Sequence, residues 1–445
     1  MSADAPPEPP RPTRVRWLIF GLACFASWLL YLHRYAWGII KPAFREQYPD
    51  FSDIEIGWLD SAFLATYAFG QIPGGLAGDR FGPRVVLSIL ALVWSLATLG
   101  VAWTTGFWRL MAARATFGLA QAGVYPVLSK VTGTWIPRPV RTFGQAVVTT
   151  MGRIGGACAS VIIATLLMGV LALSWQAALV VVTVPGVILG IGFWVAMRDR
   201  PRVHPWTNAA EQELLGDTSP PPAHAGAVAA GDPPIRPTPT PRPALELTGA
   251  SLFSLAMMFL YTFTSTFQDQ FYVFWLPSFL KEGCGFDNKA MGLLAPLPLV
   301  GGAAGGLIGG LLNDCLIRRT GSRRWSRSLV GFTGKFVAGS LVLLSIQMAD
   351  GRMALAALVA ARVFSDWSLP TQWGAVTDMG GRATATVFGI VNTVGALGGF
   401  VAGPIFGWLK QEYSWDGLFY GVAAMCVFAA FTWLFIDCTK RVVAD

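Results

Sequence analysis

Apolar runs of about twenty residues, separated by short polar or glycine-bearing breaks, recur along the whole chain. Runs of that length fit helices crossing a hydrocarbon core about 30 Å thick, whereas barrel strands would alternate over about ten residues. The pattern predicts twelve helices, at roughly 17–41, 55–78, 84–104, 107–130, 142–168, 177–197, 250–279, 290–315, 329–348, 353–377, 385–409 and 417–436. In the first, Trp17–Lys41, the apolar run is interrupted by His33 and Arg34 before the span is complete. Helical spacing puts Ser27, Tyr31, Arg34, Gly38 and Lys41 on one face, a cationic stripe inside a membrane helix. A buried arginine costs roughly 2.5–3.5 kcal/mol on insertion scales, so it turns toward protein or a watery cavity. Snorkelling to the outer headgroups is the alternative.

Composition agrees with the pattern: of 445 residues, 53% are hydrophobic and only 13% charged, about half the charge of a soluble domain. The net charge of +8 does not point to nucleic acid, because the arginines sit mainly between apolar runs, where they record orientation. Arg14, Arg16, Arg80, Arg84, Arg138, Arg141, Arg198, Arg319, Arg324 and Arg382 fall on one side, which places both termini in the cytoplasm of a cell inner membrane. No small-residue cleavage site follows the first apolar run, so the first span is expected to stay as an anchor. Six scattered cysteines show no metal or redox spacing, and no cofactor is expected.

Pro- and Ala-rich sequence divides the twelve spans six and six. The expected divisions are a disordered cytoplasmic tail (1–16), an N-terminal six-helix half (17–197), a flexible cytoplasmic linker (198–249), a C-terminal half (250–437) and a tail (438–445). The halves repeat: GGLAGDRFGPR at Gly74–Arg84 returns as GGLLNDCLIRRTGSRR at Gly309–Arg324, and MGRIGGA at Met151–Ala157 resembles VGALGGF at Val394–Phe400. The expectation is an all-α membrane protein of two pseudo-symmetric six-helix halves, with solute bound between them near the midplane.

Polar positions inside the spans supply the candidate chemistry. Arg114, Gly118, Gln121 and Tyr125 share a face of the fourth span, with arginine and glutamine about 10–11 Å apart along the axis. Capping or pairing of Arg114 is the alternative there. Arg153 lies among Gly152, Gly155 and Gly156, near the bilayer middle by residue count. Asp60, Leu64, Tyr67 and Gln71 form a seam on the second span. Three arginines thus face one plausible carboxylate, Asp60, and an incoming anion is the natural complement. In the C-terminal half, Tyr261, Gln268, Tyr272 and Trp275 run along one side of the seventh span, with Asp269 beside them and Pro277 as a local break. Arg362 and Asp366 read as a structural i,i+4 pair, and Asn392 as either a ligand contact or helix–helix glue.

The Gly74–Arg84 segment resembles the signature loop of the major facilitator superfamily, which implies that fold and a cytoplasmic gating latch on Asp79, Arg80 and Arg84, with Asp314 as its repeat. Within it, YLHRY, YAFGQIPGG, AGVYP, FWLPSFL, LPLVGGAAGGLIGGLLND and FGIVNTVGALGG together resemble the anion:cation symporters, a group with bacterial galactonate, glucarate and hexuronate permeases and vesicular glutamate and sialic acid carriers. The resemblance implies that Arg34 and Arg114 grip a carboxylate while Tyr67 and Asn392 contact the rest of a sugar acid or similar solute. With the neighbouring polar groups, the candidate substrate site is Tyr31, Arg34, Tyr67, Arg114, Gln121, Tyr125, Arg153, Gln268, Tyr272 and Asn392. The chain departs from the family's proton-coupling acids at His33 and Gln121, so proton symport does not carry over by resemblance. His33 (alternatively a hydrogen-bonded interior residue), Asp60 and Asp269 are the candidate proton carriers, with sodium coupling or exchange left open.

The reading is a monomeric secondary transporter of a small organic anion, embedded in lipid. Its runner-up is an organophosphate:phosphate exchanger of the same fold. A membrane sensor would want a folded signalling domain. An enzyme or ATP-driven pump would want a catalytic or phosphate-cradling constellation, and GLAGDRFG lacks the following Lys-Ser/Thr.

Overall fold

The computed structural model describes residues 11–137, 141–216, 248–380 and 384–442, all of whose regular elements are helical. Most of the N-terminal tail, Arg138, Arg382, linker residues 217–247 and residues 443–445 lie outside the described residues, as does the side chain of Arg141.

The six N-terminal spans are Val15–Gln47, Asp53–Phe81, Pro83–Trp103, Phe107–Ala122 continued by Val124–Trp135, Arg141–Ser160 continued by Val161–Val170, and Trp175–Ala196. The C-terminal six are Gly249–Gly283, Asn288–Thr320, Arg323–Ile346, Gly351–Asp366 continued by Ser368–Gly380, and Thr384–Phe435, which folds at Ser414 into the eleventh and twelfth spans. Sequence sets several ends. Ser52 and Thr248 close capping boxes at the starts of the second and seventh spans. Gly321, left-handed at φ 67°, stops the eighth. Around Pro277 the seventh span loosens into π-helical turns at Phe271–Trp275 and Phe279–Gly283, the local break expected of a proline in a membrane helix. The spans that fail a strict test of length and apolarity are the second, fourth and tenth. These carry Asp60, Arg114 and the Arg362–Asp366 pair, and turn those groups inward.

The repeat seen in sequence is also a repeat of packing. Gly155 on the fifth span lies so close to the first that a Cβ there would sit 1.9 Å from the Trp28 carbonyl oxygen. Its counterpart Gly398, on the eleventh span, would sit 2.1 Å from the Phe263 carbonyl oxygen of the seventh. Span five therefore lies on span one as span eleven lies on span seven.

The halves meet at one end. Gly57 and Gly403 bring the second and eleventh spans into backbone contact, Gly38 touches the Val273 carbonyl, and Ser61 donates to the Phe400 carbonyl. Above them an ion-pair network ties the halves together. Lys410 bonds Glu282 at 2.6 Å and Asp53 at 3.4 Å, Arg45 pairs with Asp53, and Lys281 reaches Glu46 at 2.9 Å. At the opposite end, the ion pairs Asp79–Lys130 (3.0 Å) and Asp378–Arg327 (2.5 Å) each lie within one half. The molecule is closed on the side of the Asp53 loop and splayed on the side of the Gly74–Arg84 loop.

Candidate functional site

Arg34 occupies the middle of the first span and turns toward the second and fourth. Its guanidinium lies 4.5 Å from the Tyr67 ring centre, 4.7 Å from Tyr31 and 5.3 Å from Phe63, and its Nε donates to Gln121 Oε1 at 3.2 Å. Gln121 is fully buried and held by a second bond, Nε2 to the Leu30 carbonyl at 2.9 Å, so it presents only a neutral acceptor to the arginine. Tyr125 hydrogen-bonds Ser27 at 2.7 Å and packs edge-on to Tyr31. Gly152 lies against all three of these side chains, and a Cβ there would come within 2.6 Å of the Tyr125 hydroxyl. Tyr31, Arg34, Tyr67, Gln121 and Tyr125 are thereby brought together in one pocket.

Arg114 lies behind the same Phe63 ring, 5.3 Å from its centre, in an aromatic cage completed by Trp37, Phe117 and, from the other half, Phe274. Its Nε donates to the Leu59 carbonyl at 3.1 Å, and it is 3% exposed. Both arginines keep a buried Nη2 with no hydrogen-bond partner among the described residues. A guanidinium presents five donors, and leaving one buried and unmatched costs about 1–3 kcal/mol or more for a charged group.

The expected counter-charge has another partner. Asp60 is buried with Lys41, Nζ to Oδ2 at 2.8 Å, and also accepts from the Trp37 indole at 2.7 Å. Lys41, read in sequence only as the end of the cationic stripe, takes the carboxylate that stood against the arginines. The positive surplus of this wall is larger than the sequence suggested: Arg34, Arg114, Arg153 and Lys41 against Asp60, a net of +3. Arg153 is exposed and lies within electrostatic reach of Asp366 of the opposite half.

Other candidates have different places. Gln268 and Tyr272 sit inside the C-terminal half with their polar groups satisfied. Gln268 bonds Ser365 (3.1 Å) and Cys426 (2.5 Å), and Tyr272 reaches the Leu358 carbonyl (3.4 Å). Asp269, one residue and about 100° round the helix from Gln268, is partly exposed, with a side chain 34% exposed beside Arg362. Asn392 is exposed on the eleventh span, two turns from Gly399, which faces Leu64 across the interface. His33 is buried, its Nε2 bonded to the Val182 carbonyl at 2.8 Å, and borders with Arg114 a small cavity of ≈ 20 Å³. Of the latch residues, Asp79 pairs with Lys130 and Arg80 stacks on Phe81. Arg84 donates through its backbone N–H to Asp199 and through Nε to the Trp194 carbonyl, while Asp314 is exposed. Sequence reasoning passed over Lys335, which is 1% exposed and bonded to Ser265 and Ser365, and Tyr35, which lies between the halves near Arg34 and Arg362. A lone lysine in an apolar span was the available signal for the first.

Known proteins place this geometry in a family. Over 430 residues the chain is 29% identical to the probable sulfoacetate transporter of Cupriavidus necator, covering 95% of this chain and 94% of that protein. It is 24% identical over 444 residues to the D-galactonate transporter of Escherichia coli, with 99% and 100% covered, and 24% identical over 412 residues to the hexuronate transporter of Bacillus subtilis, with 90% and 89% covered. Among solved structures, a bacterial homolog of the human lysosomal transporter Spinster, inward-facing and occupied, superposes with a TM-score of 0.75 at 16% identity, covering 95% of this chain and 96% of that one. A D-xylose–proton symporter gives 0.70 at 15%, with 95% and 98% covered; at such identities the likeness is one of fold alone. The sequence profile of the Major Facilitator Superfamily matches residues 23–403, and with two repeated six-helix halves around a midplane cleft the chain belongs to that superfamily.

Proposed function

We propose that the Arg34–Arg114 pocket binds a small organic anion, which the protein carries across the membrane by rocking its two halves about that site. The observation that carries the reading is the pair of buried, unmatched Nη2 atoms on a wall with a net charge of +3. The protein is a transporter rather than an enzyme, and its relatives are named for sulfoacetate, galactonate, glucarate and hexuronate, all organic acids. We assign Tyr31, Tyr67, Gln121 and Tyr125 to the walls of the pocket, Arg153 to its mouth and Asn392 to the facing wall. The arginine-rich loops near Arg80, Arg198 and Arg319 favour a cytoplasmic location for the splayed end and both termini, which makes this the inward-open state.

The test is counterflow in proteoliposomes against a panel of sugar acids, dicarboxylates, short sulfonates and sugar phosphates. One carboxylate or sulfonate is expected to exchange, and Arg34→Ala and Arg114→Ala to abolish it while eluting as folded monomers. Full exchange in both variants overturns the site. Exchange of sugar phosphates alone replaces the reading with an organophosphate:phosphate exchanger.

A further inference from the structure

We propose that His33 is a positioning residue: through one buried water it fixes the plane of the Arg114 guanidinium and so aims that group at the anion. The proposal rests on the anion-carrier reading and adds to it a residue that does not touch the solute. One step along a helix turns a side chain by about 100°, so the neighbours His33 and Arg34 look in different directions. Arg34 faces Tyr67 and Gln121. His33 points into the body of the N-terminal half, 2% exposed, with Nε2 donating to the Val182 carbonyl of the sixth span at 2.8 Å. Gly186, one turn further along that span, lets it close on the ring: a Cβ there would sit 3.2 Å from His33 Cε1. A carbonyl only accepts, so the ring proton is on Nε2 and Nδ1 is left as an acceptor. Nδ1 is buried with no hydrogen-bond partner among the described residues, and so is Nη2 of Arg114, which is 3% exposed.

One of these atoms is an acceptor and the other a donor, and their side chains border the same cavity of ≈ 20 Å³. That volume holds one water, which needs about 10–15 Å³ and two to four polar partners. The partners are present and their directions agree. Arg114 donates to the water, and the water donates to His33 Nδ1 and to Thr98 Oγ1 of the third span, whose own proton goes to the Trp94 carbonyl at 2.9 Å. Apart from Trp37, whose indole N–H is given to Asp60 at 2.7 Å, the rest of the lining is apolar. A guanidinium is planar, with its five N–H groups held in a fixed fork. Nε is already bonded to the Leu59 carbonyl at 3.1 Å, and a second bond through Nη2 to the water removes the swing about that anchor. Nη2 carries two hydrogens, so the one that the water does not use is aimed in a set direction, toward the anion. Without the acceptor on His33, the guanidinium keeps its charge but loses its direction. In this arrangement the ring works as an acceptor, not as a carrier of protons.

Isothermal titration of the purified protein with the anion found by counterflow decides it. His33→Leu removes the acceptor at similar volume and is expected to raise Kd about tenfold, as loss of one hydrogen bond to a charged group does. His33→Asn gives up the bond to Val182 but restores an acceptor, its Oδ1, where Nδ1 stood, and is expected to bring Kd back to within about twofold of wild type. Wild-type affinity in His33→Leu overturns the proposal. So does an asparagine variant as weak as the leucine one, which would make His33 a packing residue. In either case the carrier reading stands so long as Arg114→Ala abolishes binding, whereas counterflow of no anion by the wild type overturns that parent reading instead. Should His33→Leu not fold, Thr98→Val decides, because it removes the water's other partner from a different span. A rise in Kd of about threefold is expected there, and an unchanged Kd overturns the proposal.

Discussion

Gln121→Glu is the most searching substitution in the pocket, because it supplies the carboxylate this chain lacks. Gln121 is fully buried, with Oε1 3.2 Å from Arg34 Nε and Nε2 2.9 Å from the Leu30 carbonyl. A glutamate there would keep the acceptor, lose the donor to Leu30, and place a negative charge on the guanidinium that is proposed to bind substrate. At a charge separation of about 4 Å and an effective dielectric near 20, the attraction is about 4 kcal/mol. Burying the new carboxylate and orphaning the Leu30 carbonyl take back about 1–3 kcal/mol of that. The substrate then competes with an internal anion for Arg34, and its affinity falls by about 10–100-fold at neutral pH. Acidification reverses the loss, since the introduced carboxyl is again a neutral acceptor once protonated. Binding measured by isothermal titration across a pH series reads both effects. Wild-type affinity in Gln121→Glu at every pH would refute the assignment of Arg34 to the substrate.

Three further outcomes follow from the geometry. Gly155→Val and Gly398→Val drive side chains into the Trp28 and Phe263 carbonyls, and each should lower stability by about 2 kcal/mol or more, read as a fall in melting temperature. An unchanged melting temperature in either would contradict the packing repeat. Lys410→Met removes the bonds to Glu282 and Asp53 that join the halves at the closed end, and should shift the population toward opening there by about tenfold. Spin labels on the two outer faces, read by pulsed dipolar spectroscopy, report the widened distances; an unchanged distribution would remove that network from gating. Glu211→Gln weakens the cap on the first span, where the carboxylate accepts from the Val15 and Arg16 backbone N–H groups and pairs with Arg16 at 3.1 Å. A loss of about 1 kcal/mol is expected, measured in the same melting assay, and no change would assign that contact no role in stability.

The twelve spans and their repeat were legible because a bilayer imposes length and apolarity on the sequence, and close helix approach imposes glycine at Gly155 and again at Gly398. The shared face of Gln121 and Tyr125 on the fourth span was legible, because helical spacing alone puts them on one side. The Lys41–Asp60 bond was not, although both residues were in view. They lie on different helices, and only the hairpin geometry brings Nζ to the carboxylate. The seventh span failed differently. Its polar face, Tyr261–Gln268–Tyr272, was visible in the spacing, but in a membrane protein such a face can turn either to a cavity or to polar groups on neighbouring helices. Here Ser365, Ser368 and Cys426 receive it, and rotation by a single residue gives the cleft Asp269 instead. Arg362–Asp366 read as a self-contained pair because its spacing satisfied the helix. The third member comes from another span and leaves no trace in local pattern.

The central claim is the location of the anion, and a crystal or cryo-microscopy structure with a bromine-labelled carboxylate substrate tests it most directly. The carboxylate oxygens are expected within hydrogen-bond distance of Arg34 Nη2 and Arg114 Nη2, beside the Phe63 ring. An anion held by Arg362 and Lys335 in the C-terminal half, with both N-terminal guanidiniums left untouched, would contradict it.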